Sequence, residues 1–122
     1  MEVWLTMKEC VRVMKALSDP NRIKVLKMLE GGELCVCEIQ PRLKLSQSTT
    51  SKHLRILEDA GLVEKRKDGQ WVIYRLADGS QSVYAARMLE SFRQWLGDDP
   101  DIRAMKKNVH QLSRTCTDTT TR

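Results

Sequence analysis

The sequence predicts a mostly α-helical domain that carries one small β-hairpin, and three observations support this fold class. The chain has 122 residues, of which 41% are apolar, enough for one core of ordinary size. Apolar residues recur at helical spacing over most of the length, and cap residues stand where that spacing stops. One Asp-Gly pair separates two runs that favour strands, a strong signal for a hairpin. Helices followed by such a hairpin are typical of a winged helix-turn-helix domain.

The first three helices are predicted from apolar spacing and from the residues that interrupt it. Between Cys10 and Leu17 the apolar side chains form one stripe of an amphipathic helix. A cap residue followed by proline at 18–20 ends that pattern and favours a second helix. The glycines at 31–32 end the second helix. A shorter third helix is expected over 34–43, irregular near its proline.

A fourth helix and the hairpin are predicted next. Ser46 is a favourable N-cap for a helix over 47–60, and Gly61 stands where such a helix ends. The runs 62–67 and 70–76 favour strands, and the Asp-Gly pair between them predicts the hairpin tip.

The C-terminal part is predicted to be helical with one break. A long helix is expected over 80–96, an interruption over 97–100, and a further helical stretch over 101–112. The Thr-rich end, 113–122, is poor in apolar side chains, so we expect a disordered polar tail after a domain over 1–112.

The positive charge of the chain is concentrated in its middle. The formal net charge is +5, from 21 Lys and Arg against 16 Asp and Glu. Between Arg42 and Arg75 stand eight basic and four acidic residues, so this segment alone carries +4. A basic segment between balanced ends is typical of a surface that binds a polyanion such as DNA.

The fourth helix has the chemistry of a helix that enters the major groove. Its first half, 47–52, is small and polar, whereas its second half, 53–60, supplies apolar side chains to a core. Short polar side chains let the backbone approach base edges, and glutamine and serine can hydrogen-bond to those edges. The hairpin adds the cations Lys65, Arg66 and Lys67 and the amide of Gln70, which suit a phosphate backbone.

Two ring-bearing side chains of this region have structural explanations. The spacing of Trp71, Ile73 and Leu76 predicts that they pack the hairpin onto the domain, so we expect Trp71 to be a core anchor. His53 lies beside the apolar half of the fourth helix, and we expect it to be hydrogen-bonded inside the domain.

The four cysteines carry the other chemical signal. No apolar run approaches the roughly 18 residues of a membrane span, and the N-terminal segment mixes acid and base, so we expect neither membrane insertion nor export. In a reducing cytoplasm the thiols are expected to be free, buried or metal-binding. Cys35 and Cys37 stand one residue apart, a pair that favours soft ions over Mg²⁺ or Ca²⁺. In one continuous helix their side chains point about 200° apart, so binding one ion would unwind the helix.

The sequence does not favour an enzyme. It contains no phosphate-binding loop and no triad motif, and its Cys-x-Cys lacks the two-residue spacing of a thiol oxidoreductase. No second pair of Cys or His follows at zinc-finger spacing. A binding protein is therefore expected.

Two long runs carry a resemblance to a known family. They are LSDPNRIKVLKMLEGGELCVCEI and LSQSTTSKHLRILEDAGLVEKRKDGQWVIYRL, within a resemblance that spans 11–96. These runs resemble the ArsR/SmtB family of metalloregulatory repressors, and ELCVCE resembles its arsenite-responsive ArsR branch. The resemblance implies a homodimeric repressor, paired through its first helix and 80–96, that binds an inverted-repeat operator when metal-free. It also implies release of the operator when As(III) or Sb(III) binds Cys35 and Cys37.

The resemblance also places Gln47, Ser48, Thr50, Ser51 and His53 in the recognition-helix motif. The basic segment adds four cations and the amide of Gln70. The candidate DNA-binding residues are therefore Gln47, Ser48, Thr50, Ser51, Lys52, His53, Arg55, Arg66, Lys67 and Gln70.

Two departures from the family pattern concern the metal site. Gln40 stands where the best-known arsenite sensors carry a third cysteine. Cys10 is a candidate third ligand, as in the cadmium- and lead-sensing branch, and Cys116, a cellular thiol or water are the others. No histidine occurs in 80–96, which argues against the zinc site of another branch. Sensing of Cd(II), Pb(II) or thiol oxidation through the same cysteines remains the alternative.

Overall fold

The computed structural model describes residues 6–109, which form six helices and a three-stranded antiparallel sheet. The sheet has the strand order β1-β3-β2. No helix in this range is long and apolar enough to cross a membrane. The predicted fold class, a mostly helical winged helix-turn-helix, is confirmed. The elements are α1 (Met7–Ala16), α2 (Pro20–Leu29), β1 (Leu34–Cys35), α3 (Val36–Leu43), α4 (Gln47–Asp59), β2 (Val63–Asp68), β3 (Trp71–Leu76), α5 (Val83–Phe92) and α6 (Pro100–Val109).

The first two helices begin at side-chain caps. Thr6 Oγ1 accepts the backbone N–H of Glu9 at 3.1 Å, and Asp19 Oδ1 accepts that of Asn21 at 2.7 Å. Both caps satisfy backbone donors that have no partner inside the helix. The predicted apolar stripe of α1 is only partly buried, because Val13 lies in the core while Met14 is 44% exposed.

The segment before α3 differs from the sequence prediction. The sequence predicts a helix from Leu34, but Leu34 and Cys35 form strand β1, which pairs with Tyr74 and Ile73 of β3. Cys35 is extended (φ −85°, ψ 165°) and caps α3, and its N–H donates to Glu38 Oε1 at 2.8 Å. The prediction is wrong here because pairing with a strand far along the chain satisfies these backbone groups better than a local helix does.

The predictions for α4 and the hairpin are confirmed with one shift. Ser46 Oγ accepts the N–H of Thr49 at 3.1 Å, and Gly61 has the positive φ (+80°) that follows many helix ends. In the hairpin, Asp68 pairs with Trp71, so the turn residues are Gly69 and Gln70 rather than the predicted Asp-Gly pair. Gly69 supplies the positive φ (+66°) that such a turn requires.

Helix α5 is shorter than predicted because a buried lysine binds its C-terminal end. Lys27 is 1% exposed, and its Nζ donates to the carbonyl oxygens of Phe92 (2.6 Å) and Trp95 (2.7 Å). The same ammonium pairs with Glu30 Oε2 at 3.0 Å. Carbonyls at a helix end lack partners inside the helix, and a cation there is favourable. Leu96, with φ +65°, then turns the chain toward α6.

The core lies where the helices of the N-terminal half meet β3. Its fully buried members come from helices α1 to α5, the sheet and the turn between α4 and β2, and α4 is held against the body of the domain by its second half. The largest of them include Leu26, Met28, Leu54, Leu57, Leu62 and Ile73. A break between the last two helices is confirmed, but it covers 93–99 and not the predicted 97–100, because α5 ends at Phe92 and α6 begins at Pro100. The predicted tail, 113–122, lies outside the described residues, as does the end of the predicted stretch at 112.

Candidate nucleic-acid interface and sensor site

The first half of α4 presents polar side chains to solvent. Gln47, Ser48, Ser51 and Lys52 are exposed, whereas Leu54 in the second half is fully buried. No acidic residue stands in the first turn of α4, so the positive end of the helix dipole is not neutralised by its own side chains. This division is what a helix that reads base edges with its N-terminal half requires.

Two predicted DNA-binding residues, Thr50 and His53, are not exposed with the other polar side chains of α4. Thr50 is fully buried, and its Oγ1 has no hydrogen-bond partner within the described residues. His53 is half-buried, and Arg22 Nη1 donates to its Nδ1 at 3.1 Å. The expectation of an internal hydrogen bond for His53 is met, whereas the structure does not bring the Thr50 hydroxyl to the predicted DNA-binding surface.

Sequence reasoning missed Arg22, which links α1 to α4. Its Nε donates to the carbonyl oxygen of Ala16 at 2.7 Å and its Nη2 to that of Lys15 at 3.1 Å, both at the end of α1. With the bond to His53, one guanidinium therefore connects the end of α1 with the helix expected to contact DNA. Its partners stand on other helices, so no local pattern identifies this role.

Most cations of the hairpin are paired with acids of the same chain. Arg66 Nη2 lies 2.7 Å from Glu33 Oε1, and this hydrogen bond and charge raise the pKa of the Arg66 guanidinium. Arg75 pairs with Glu64 at 2.9 Å. Among the described residues, Lys67 makes no such ion pair, so it is the hairpin cation most available to a phosphate.

Cys35 and Cys37 meet at the start of α3. The structure pairs them as a disulfide, with Cα atoms 5.4 Å apart. The sequence predicts thiols that are free, buried or metal-binding: Cys35 is buried, and Cys10 is free and half-buried on α1. The separation of about 200° that holds in one continuous helix does not apply here, because Cys35 lies in β1 and only Cys37 lies in the helix. Two sulfurs can thus share one ligand without unwinding α3.

The cysteine pair and the candidate DNA-binding residues line one cavity. This cavity, of about 490 Å³, lies between the start of α3, one face of α4 and the hairpin. Its size falls within the range of small-ligand sites. Trp71, predicted to be a core anchor, is instead half-buried and lines the cavity. The cavity is lined by Cys35, Val36, Cys37, Gln40, Gln47, Ser51, Arg55, Glu58, Lys65, Gln70, Trp71, Val72 and Tyr74.

The pKa of Tyr74 shows which charges act on the wall of this cavity. Burial, and then the negative charge of Glu58, raise the pKa of the Tyr74 hydroxyl, while the positive charge of Arg55 acts in the opposite direction. Both charged side chains therefore act on the same region of the cavity wall. Tyr74 stays a neutral hydrogen-bonding group at neutral pH.

The third ligand position is not filled by this chain within the described residues. No three His, Cys, Asp or Glu side chains of this range lie close enough together to hold one ion. Cys10 is thus not brought to the cysteine pair within one chain, and Cys116 lies outside the described residues. The described residues therefore offer two sulfur ligands to a soft, thiophilic ion.

The fold and the polar surface of α4 define a DNA-binding transcriptional regulator of the winged helix-turn-helix class, and its relatives and structural neighbours are transcriptional regulators, not enzymes. Comparison with known proteins agrees. The sequence profile of the bacterial regulatory protein arsR family matches residues 19–65. The arsenical resistance operon repressor of Escherichia coli (strain K12) is 34% identical over 100 residues, which are 81% of this chain and 83% of that protein. The chain therefore belongs to the ArsR family.

Two further similarities bear on function. The cadmium resistance transcriptional regulatory protein CadC homolog of Staphylococcus aureus is 42% identical over 71 residues, covering 57% of this chain and 59% of that protein. Among solved structures, the homodimeric winged helix-turn-helix DNA-binding domain Mb0332 from Mycobacterium bovis matches with a TM-score of 0.61 and 30% identity. That match covers 76% of this chain and 82% of the other.

Proposed function

We propose that this chain is a cytoplasmic repressor that binds an inverted-repeat operator as a homodimer. It leaves the operator when As(III) or Sb(III) binds Cys35 and Cys37. One observation supports this most strongly: the cysteine pair lines the same cavity as four candidate DNA-binding side chains. These are Gln47, Ser51, Arg55 and Gln70. The similarity to a protein named as an arsenical resistance operon repressor supports the choice of inducer.

The route from the cysteines to DNA is short. The backbone of Cys35 belongs to the same sheet as the hairpin, through its pairing with Ile73, and Cys37 belongs to α3, which packs on α4. An inducer held by both sulfurs therefore acts on the hairpin and on α4 together. A coupling of about 1–3 kcal/mol between the two sites is sufficient for regulation.

The DNA-facing surface in this proposal combines α4 with the tip of the hairpin. Exposed polar side chains of α4 read the major groove, and the hairpin follows the phosphate backbone. The residues we assign to this surface are Gln47, Ser48, Ser51, Lys52, Arg55, Arg66, Lys67 and Gln70.

Dimerisation in this proposal uses α1 and α5. On α1, Met7, Val11 and Met14 are 78%, 42% and 44% exposed and recur at helical spacing, which leaves an uncovered apolar stripe. Val83, at the start of α5, is 45% exposed, and α5 packs beside α1. An apolar stripe of this kind fits a second copy of the chain, as in the homodimeric relative.

The proposal is tested by measuring release of DNA from the upstream region of the gene. The reduced protein is titrated with arsenite, antimonite and Cd(II), using fluorescence anisotropy. We expect Cys35→Ser and Cys37→Ser to bind the DNA as the wild type does but to retain it when arsenite is added. Cys116→Ser is the matched control and should respond normally. A full arsenite response in either of the first two variants excludes the assigned sensor, and stronger release by Cd(II) than by arsenite favours the cadmium alternative.

Oxidation is a second candidate signal, favoured by the pairing of Cys35 with Cys37. Here a hydroperoxide is the oxidant: the two thiols lose two protons and two electrons to form the disulfide, and hydrogen peroxide is reduced to two waters. Release by peroxide that a phosphine reductant reverses supports this signal. Release by arsenite in excess phosphine, without oxidant, supports the metalloid signal instead.

A further inference from the structure

We propose that a small anionic thiol from solution supplies the third sulfur of the arsenite-bound state. It enters the cavity beside Cys35 and Cys37, and its carboxylate binds Arg55. This inference rests on the proposed function, because it concerns the same cysteine pair, but it names a second ligand that the chain binds together with the metalloid.

Valence leaves arsenic a third position, which keeps one hydroxide or exchanges it for a third sulfur. Arsenous acid has three As–O bonds to exchange, and this chain brings only two sulfurs together within the described residues. Gln40 lines the cavity next to the pair, and its Nε2 donates to the carbonyl oxygen of Leu45 at 3.2 Å. An amide is a poor ligand for a soft ion, so the third position is open to a sulfur from solution.

The cavity has the size and the groups to hold such a molecule. A volume of about 490 Å³ exceeds what a bare oxyacid needs and suits a small organic ligand. Trp71 and Val72 supply apolar wall area, and Gln47 and Ser51 supply hydrogen-bonding groups. A short peptide-like or amino-acid thiol carries both kinds of group.

The charges of the cavity select an anion. Lys65 Nζ lies 3.6 Å from Glu58 Oε1, so these two lining charges are paired with each other. Arg55 forms no ion pair within the described residues, which leaves one cation without a counter-ion on the cavity wall. A guanidinium binds a carboxylate through two parallel hydrogen bonds, a stronger contact than a neutral partner makes.

The chemistry balances without a further reactant once the cysteines are reduced. Two molecules of the small thiol reduce the disulfide to two thiols and leave as their own disulfide. Three As–S bonds then form, two to the chain and one to the small thiol. Three As–O bonds break, and each departing hydroxide leaves as water with one thiol proton.

The bound thiol would also compete with DNA. The cavity wall and the surface that we assign to DNA share Arg55, Gln47 and Ser51. A thiol bound to these side chains therefore prevents them from contacting DNA. The third ligand would thus strengthen release in addition to completing the site.

The test uses the reduced full-length protein with one equivalent of arsenite and glutathione as the probe thiol, and the Cys10→Ser/Cys116→Ser variant is the control that lacks competing thiols. X-ray absorption at the arsenic edge counts sulfur neighbours, and native mass spectrometry detects the ternary complex. We expect two sulfur neighbours without glutathione and three with it. Cysteamine, which lacks a carboxylate, should bind on the order of tenfold more weakly. Arg55→Ala should remove that preference while keeping two sulfurs on arsenic, and Lys52→Ala, on the same helix but outside the cavity, should keep the preference.

The outcomes separate this inference from the proposed function. No sulfur neighbours under any condition would overturn both. Two sulfurs with and without glutathione, three without any added thiol, or equal binding of glutathione and cysteamine overturns the third-ligand proposal alone. If Arg55→Ala does not fold, the comparison of glutathione with cysteamine on the chain with Arg55 intact still tests whether the carboxylate contributes to binding.

Discussion

The exposed face of α4 and the hairpin both carry cations, but the two regions hold them differently. On α4, Lys52 and Arg55 make no ion pair within the described residues. In the hairpin, Arg66 and Arg75 lie 2.7 Å and 2.9 Å from carboxylates of the same chain. A phosphate must therefore displace a carboxylate before it binds the hairpin arginines, whereas it meets the α4 cations directly.

This difference shows that a count of basic residues overestimates what the hairpin contributes to DNA binding. Exposed ion pairs contribute little to stability, commonly about 0–1 kcal/mol, but each one removes a positive charge from the field that attracts DNA. Within the described residues, the cations of the middle segment that make no ion pair are Lys52 and Arg55 on α4, Lys67 in the hairpin, and Arg42 and Lys44 just before α4. The following changes test that division, beginning with the largest expected effect.

Lys52→Ala/Arg55→Ala should weaken binding to any DNA. Each lost phosphate contact reduces the slope of log K against log salt by about 0.9, so we expect a slope smaller by about 2 and an affinity loss of at least about tenfold. Fluorescence anisotropy across a salt series measures both. The matched variant, Arg66→Ala/Glu33→Ala, removes one cation with its own counter-ion and should change the slope by much less than 1. Equal effects of the two variants contradict the division between the regions.

Gln47→Ala should weaken discrimination between operator and random DNA. An amide bound to a base edge contributes about 1–3 kcal/mol of discrimination, whereas phosphate contacts contribute alike to both DNAs. Competition binding of the operator against random duplex measures the ratio. Lys67→Ala is the comparison: it should lower both affinities and leave their ratio unchanged. A constant ratio in Gln47→Ala removes this residue from base readout.

Glu33→Gln should strengthen DNA binding several-fold. The change releases Arg66 from its carboxylate partner and lets the guanidinium bind a phosphate, so the salt slope should become steeper by about 1. The ordinary pKa of an arginine is so high that its charge is unaffected. In the Arg66→Ala background the gain should shrink to the effect of the lost negative charge alone. Unchanged affinity in the single variant shows that Arg66 does not reach DNA.

Thr50→Val should have the smallest effect. The side chains have the same shape, and the buried Thr50 Oγ1 lacks a hydrogen bond within the described residues, so its removal should leave stability unchanged or raise it by up to about 1 kcal/mol. Urea unfolding measures the stability, and competition binding should show unchanged discrimination. A loss of discrimination in this variant would show that Thr50 contacts DNA, as the sequence predicts.

The sequence by itself determined the elements whose signals are local. Ser46, the polar run after it and Gly61 delimit α4 almost to the residue, because capping and helix termination act within one turn. The hairpin is found for the same reason, with its turn shifted by one position. The family resemblance rests partly on these same segments, and the comparisons confirm it.

Only the tertiary structure decided how distant segments meet. Leu34 and Cys35 become a strand because β3 is available to pair with them, and that choice brings the two sulfurs together. Burial of Lys27 ends α5 early, since its ammonium needs the carbonyls of Phe92 and Trp95. Partners far apart in sequence leave no periodic or capping signal, so the shared cavity of the cysteines and α4 was visible only after folding. The sequence showed two thiols and a helix with a polar first half, and packing made them neighbours.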